Sequence, residues 1–212
     1  LTAEEIYSIN NNSLKNAIVQ FNGGCTASII SPDGLVITNH HCGYGAIAGL
    51  STPEHNYLKD GYWAKTKADE LPPKSLYVRF FVRMDNVTNR MLSVVNPSMT
   101  EKEREAAINR EIEKIQKENS EGGKYVVSVR PFFQGNEYYY FVYQDFKDVR
   151  FVGTPPENVG KFGGDTDNWE WPRHTGDFSV FRVYTDKDGN PAPYSPNNIP
   201  MKAKKYLNVT LK

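Results

Sequence analysis

Residues 23–45 read GGCTASIISPDGLVITNHHCGYG, two apolar runs around one turn, with a cysteine near each end and the pair His40-His41 just before the second. Residues 27–30 and 35–37 carry the β-branched side chains of strands, and Ser31-Pro32-Asp33-Gly34 is a turn with proline preset at its second position. The pattern predicts a hairpin. Cys25 and Cys42 are symmetric about Asp33-Gly34, so a regular hairpin sets them opposite each other at a separation that suits a disulfide. Such a bridge contributes roughly 3 kcal/mol in the chain-entropy model. It would also clamp His41 at the end of a strand, and a clamped imidazole is what a general base requires. Strand alternation points His40 to the other side of the hairpin, which gives it a structural role.

The bulk numbers exclude several classes of function. A chain of 212 residues, 39% hydrophobic and 24% charged, has ordinary globular composition and is long enough for one large or two small domains. With 25 basic and 25 acidic residues the formal charge is zero, so nothing electrostatic argues for nucleic acid or an anionic membrane surface. No apolar run is long enough to span a bilayer. Two cysteines at hairpin spacing, without a CxxC, point to an oxidising compartment. No signal peptide precedes Leu1, and the abrupt start reads as that of a trimmed or mature form.

Outward from the hairpin, the chain alternates strands with a few capped helices. Thr2-Ala3-Glu4-Glu5 is a capping box for a short helix over 2–8, and residues 17–21 read as a strand that feeds the hairpin. Residues 43–49, rich in glycine and alanine, read as a flexible segment. His55 has no second liganding group at helical or turn spacing and reads as a surface or structural residue. Residues 76–84 alternate as a strand with Arg79 and Arg83 facing out. Thr100 with Glu103 is a second capping box, and Ile108, Ile112 and Ile115 give one apolar stripe on a charged helix over about 100–118, ended by Gly122-Gly123. Its interleaved charges read as a solvated outer face. Strands are expected at 125–129, 137–143 and 149–152. The aromatic run Tyr138 to Tyr143 reads as core alternation rather than a stacking platform. A last strand is expected near 206–211.

Residues 163–184, GGDTDNWEWPRHTGDFSVFRVY, pack acids, an amide, two tryptophans and a histidine into a loop before a strand that begins at Phe178. Loops so placed tend to carry function. Asp177 is thereby a carboxylate at a strand mouth. With His41 it makes two thirds of a Ser-His-Asp apparatus, in which the acid fixes the imidazole tautomer. No Gly-x-Ser-Gly occurs in the chain, and no other serine sits in a glycine-rich turn beside backbone amides. Asp165 and Asp167 lack further ligands at loop spacing, so no metal is expected and no cofactor is called for.

At this point the chain resembles a known family. CTASIISPDGLVITNHHC is similar to the segment of chymotrypsin-like peptidases in which a strand pair ends in a histidine directly before a bridged cysteine, and GDFSVFRV to the strand that carries their aspartate. TNHHCGYGAI, STPEHNYLKDGYWA and VGKFGGDTDNWEWPRHTGDFSVFRVYTDKDGNPAPYS resemble more closely the family of bacterial dipeptidyl-peptidases 7 and 11, over nearly the whole chain. The resemblance implies a mainly β, chymotrypsin-like barrel fold. This chain would hold the first barrel with an inserted amphipathic helix, and the family's helical insertion and most of its second barrel would lie outside it. Residues 1–16 would be a lead-in, 17–185 the barrel and 186–212 a linker to the next strands.

The implied activity is that of a serine exopeptidase of the periplasm of Gram-negative bacteria, or a secreted one, that removes dipeptides from peptides with a free N-terminus. His41 would be the general base, Asp177 its orienting acid, and Asn168 and Trp169 the residues that hold the substrate's α-amino group. The nucleophile would lie beyond Lys212, which makes the 212 residues inactive on their own. Family resemblance also allows a homodimer, for which no residue pattern here argues. A second reading is a secreted peptide-binding module that keeps the barrel and has lost its nucleophile. A third, metal-dependent hydrolysis through His40, His41 and Asp165, has the least support.

Overall fold

Side chains in the first three strands alternate between buried and open positions, the period-two signature of a sheet with one face on a core. The computed structural model describes residues 1–160 and 176–208. It divides into two compact units, Leu1–Arg79 with Phe146–Lys212, and Phe80–Asp145.

The first unit opens with α1 (Ala3–Ile6), started by the Thr2 and Glu5 capping box expected from the sequence. Strands β1 (Ile18–Phe21), β2 (Cys25–Ile29) and β3 (Leu35–Thr38) follow, then α2 (His40–Leu50), α3 (Tyr57–Asp60) and β4 (Tyr62–Trp63). The chain enters the second unit along β5 (Val78–Asn86), continues through α4 (Thr88–Ser93), α5 (Glu101–Asn119) and β6 (Val126–Phe132), and leaves it along β7 (Glu137–Phe146). Back in the first unit come β8 (Val149–Thr154), α6 (Glu157–Gly160), β9 (Ser179–Thr185) and β10 (Ile199–Pro200).

The strands of the first unit pair antiparallel in the order β4-β8-β9-β3-β2-β1, with β10 also on β9. Strands β8 and β9 are buried at nearly every position, because each has neighbours on both edges and side chains packed on both faces. Phe181 of β9 centres the core: its ring lies 4.8 Å from that of Phe21 and 5.5 Å from that of Phe151, all three at or below 1% exposure. Glu70 and Arg150 are buried beside them but satisfied. Glu70 takes Arg182 and the Tyr184 hydroxyl, and Arg150 makes a two-pronged pair with Asp148.

In the second unit β5, β7 and β6 lie side by side in that order. Helix α5 begins at the Thr100 and Glu103 capping box and seats Ile115 on Met91, Val129 and Tyr138, with Ile108 and Ile112 packed at the margin. The apolar stripe is as expected, but its neighbour Glu111 is not solvated. It is 6% exposed and held by Arg90 and Lys114.

The mainly β, antiparallel architecture with one inserted amphipathic helix agrees with the sequence reading, and several local expectations do not. The glycine-rich 43–49 segment is helix α2 rather than a flexible stretch. The β2–β3 register pairs Ser28 with Ile37 and Ile29 with Val36, which centres the hairpin between Pro32 and Asp33, one residue earlier than the cysteine symmetry implied. Arg83 does not face out: its Nη2 donates to Asn119 and its guanidinium covers the Tyr140 ring. Residues 206–208 form no strand, although Leu207 donates one backbone bond to Ile29, and the rest of the last expected strand lies outside the described residues. Among the described residues no helix is long and apolar enough to cross a membrane.

Candidate active site

Strand β3 ends at Thr38, whose hydroxyl donates to the Thr26 carbonyl, and the chain turns at once into α2. Asn39 is the N-cap residue, with extended backbone and a carbonyl that accepts from Cys42 and Gly43. The buried positions of α2 are His40, Gly43 and Ile47, one helical face, laid against β9. Gly43 permits that approach, because a Cβ there would stand 2.5 Å from Ser179 Oγ and 3.1 Å from the Phe181 ring.

His41 follows His40 by about 100° around the helix and emerges on the open side. This corrects the expectation that strand alternation separates the two histidines. The Cys25–Cys42 disulfide forms, with Cα atoms 6.1 Å apart, but it ties the first residue of β2 to the first turn of α2 rather than two facing strand residues. His41 is therefore clamped from the adjacent position, as expected, on a helix turn rather than a strand end.

Asp177 lies two residues before β9. Its position is set by the Gly176 N–H, which donates to Val159, and by the Phe178 carbonyl, which accepts from Thr154. The carboxylate receives three donors from one turn of α2. His41 N–H reaches Oδ1 at 3.2 Å, while the His41 ring at Nδ1 and the Asn39 carboxamide each reach Oδ2 at 3.0 Å. Burial alone would raise the Asp177 carboxyl, but these donors outweigh it and hold the group below the ordinary carboxylate value. The His41 side chain is 71% exposed and Asp177 31%, so the pair stands at an open surface of the first unit.

His40 is 3% exposed, its ring edge-on to Tyr44, and its Nε2 meets no partner among the described residues. Burial pushes its ionisation down, against the opposing pull of Asp177 and Glu157. His55 is exposed and its ring stacks on Tyr57, in keeping with a surface or structural residue. Asn168 and Trp169 lie outside the described residues, as do Asp165 and Asp167. Donor atoms of Cys25, Cys42 and His41 fall within 4.8 Å of one another, but the two sulfurs are bonded to each other and offer no thiolate to a metal. Sequence reasoning missed Asn39, Gly43 and Ser179. The helix that brings them together carries glycines at 43, 45 and 49, which hid it from a propensity reading.

An imidazole on a helix turn, paired with a carboxylate that fixes its tautomer, can give and take a proton at its other nitrogen. The family model for peptidase S46 matches residues 1–212, and the chain belongs to that family. More particularly, it is 95% identical over all 212 residues to dipeptidyl-peptidase 7 of Capnocytophaga gingivalis. It is 49% identical to an Asp/Glu-specific dipeptidyl-peptidase of the same organism. The crystal structure of Porphyromonas endodontalis DPP11 in complex with the dipeptide Arg-Glu superposes on 99% of the chain with a TM-score of 0.88 at 42% identity. The chain spans about 30% of the length of these curated relatives and 32% of that structure.

Proposed function

We propose that these residues are the N-terminal catalytic segment of a serine dipeptidyl-peptidase, which supplies the histidine and the aspartate of a Ser-His-Asp triad. The observation that carries the reading is the 3.0 Å contact between His41 Nδ1 and Asp177 Oδ2 in a member of a peptidase family. With Nδ1–H given to Asp177, Nε2 is left as acceptor. It takes the proton of a serine hydroxyl from the remainder of the protein and later delivers it to the departing amine, while Asp177 holds the tautomer. Asn168 and Trp169 hold the substrate's α-amino group, an amide oxygen and an indole face being suited to an ammonium. The Cys25–Cys42 disulfide supports a periplasmic or secreted setting.

The test uses the full-length protein and a panel of peptides with free and acetylated N-termini. Dipeptide release is expected from the free peptides alone. His41→Ala and Asp177→Ala are each expected to lower kcat/KM by roughly 10³-fold or more. A kcat/KM of native size in Asp177→Ala would sink the reading. The isolated 212 residues are expected to release no dipeptide.

A further inference from the structure

Asparagine is among the strongest N-cap residues because its side-chain oxygen accepts a backbone N–H from the second or third residue of the helix. Asn39 stands at the N-cap of α2 and makes no such bond. The second helical residue, His41, gives its N–H to Asp177 Oδ1 at 3.2 Å instead. A carboxylate from the mouth of β9 thus caps α2, where the partial positive charge of a helix N-terminus favours an anion. The carboxamide that would have capped the helix turns to that carboxylate, donating to Oδ2 at 3.0 Å and reaching the Asp177 carbonyl at 3.4 Å. The reverse orientation of the amide would set its oxygen against the carboxylate, so only this one donates. Ser179, fully buried, donates to the Asn39 carbonyl at 3.0 Å. One residue is therefore tied both to Asp177, just ahead of β9, and to Ser179, its first residue.

We infer that Asn39 is the positioning residue of the Asp177–His41 pair: its carboxamide fills the second acceptor site of the oxygen that takes the His41 ring and so fixes the plane of the carboxylate. The inference rests on the serine-peptidase reading above. Without Asn39 the carboxylate keeps its backbone donor and its imidazole, but it gains a rotation that moves Oδ2 out of the imidazole plane. Asn39 touches no reacting atom, so its removal should appear in kcat and not in KM.

Two substitutions in the full-length enzyme separate donation from shape. Asn39→Ala deletes the donor and is expected to lower kcat about 10-fold with KM unchanged, in line with the loss of a hydrogen bond to a charged group. Asn39→Asp keeps the shape but sets a second carboxylate against Asp177, where the native amide donates at 3.0 Å. Its kcat is expected to fall below that of Asn39→Ala at neutral pH. As the pH is lowered the introduced carboxyl takes a proton and becomes a donor again, so the ratio of its kcat to that of the native enzyme should rise toward acid. The titratable groups facing the pair among the described residues are His40 and His41 of α2 and Glu157 of α6, all of them present in the native reference. Equal losses in the two variants with no pH trend in that ratio, or native kcat in both, would overturn the inference. Loss of activity in His41→Ala with native activity in Asn39→Asp would overturn this inference alone, whereas retained activity in His41→Ala would overturn the reading beneath it. Should Asn39→Asp not fold, the kcat and KM of Asn39→Ala decide the matter.

Discussion

Gly43 decides how closely α2 can approach β9, and hence how far His41 stands from Asp177. In an ordinary helix a Gly-to-Ala change gains up to about 1 kcal/mol. At position 43 the new methyl would meet Ser179 Oγ at 2.5 Å and the Phe181 ring at 3.1 Å, so the helix must lift or Ser179 must leave the Asn39 carbonyl. Gly43→Ala is therefore expected to cost about 1–3 kcal/mol by overpacking, and to reduce kcat as the His41–Asp177 contact lengthens. Gly45 and Gly49 lie on the same helix with nothing within 4 Å of an added Cβ. Gly45→Ala and Gly49→Ala should leave kcat alone and raise the melting temperature. Thermal denaturation of the three variants checks the contrast, and a stabilised Gly43→Ala enzyme of native activity would contradict it.

At the scale of elements, the β2–β3 hairpin is held at its base by the disulfide and at its tip by charge. Asp33 accepts from the Ser31 hydroxyl at 2.6 Å and pairs with Arg182 at 2.7 Å and Lys67 at 3.2 Å. Burial pushes its carboxyl up, but Ser31, Lys67 and Arg182 outweigh it and bring it down to about 2. A carboxyl whose folded value is depressed contributes stability that is present above its unfolded value, near 4, and lost as the pH falls toward 2. Because Asp33 is 42% exposed, solvent screening holds that contribution to less than about 1 kcal/mol. Asp33→Asn should show a shallower loss of stability than the native protein between pH 4 and pH 2 in denaturant titrations. Identical slopes would remove Asp33 from the account. The hairpin and α5 were legible in the sequence because their signals are local: a proline turn between β-branched runs, and a capping box ahead of an isoleucine stripe. Helix α2 was not, because glycines at 43, 45 and 49 lower its propensity and what stabilises it is tertiary, the seating of Gly43 on Ser179 and Phe181 of β9 and the burial of Ile47. His41 and Asp177 could be read from a neighbouring cysteine and a strand mouth. Asn39 could not, since an asparagine at a helix start reads as a cap until the helix is seen to be capped by something else.

Over the whole chain, the described residues of the candidate site, Cys25, Asn39, His41, Cys42, Asp177 and Ser179, all belong to the first unit. The second unit has its own core, with Ile115 of α5 fully buried against Met91, Val129 and Tyr138. Its stability and the chemistry of the site should then be separable, since among the described residues every side chain that bonds Asp177 or His41 lies in the first unit. Ile115→Ala removes three carbons from that core and is expected to cost 2–5 kcal/mol through lost burial and the cavity left behind. The full-length variant should lose protection from hydrogen exchange across α5, β6 and β7 first, while β3, α2 and β9 keep theirs. At temperatures where the variant remains folded, its kcat and KM for a free dipeptidyl substrate should match those of the native enzyme. A kcat that falls in step with the loss of protection in α5 would mean that the His41–Asp177 geometry depends on the second unit after all. In that case the aromatic strands β5 and β7, which carry the chain between the units, would be where the dependence runs.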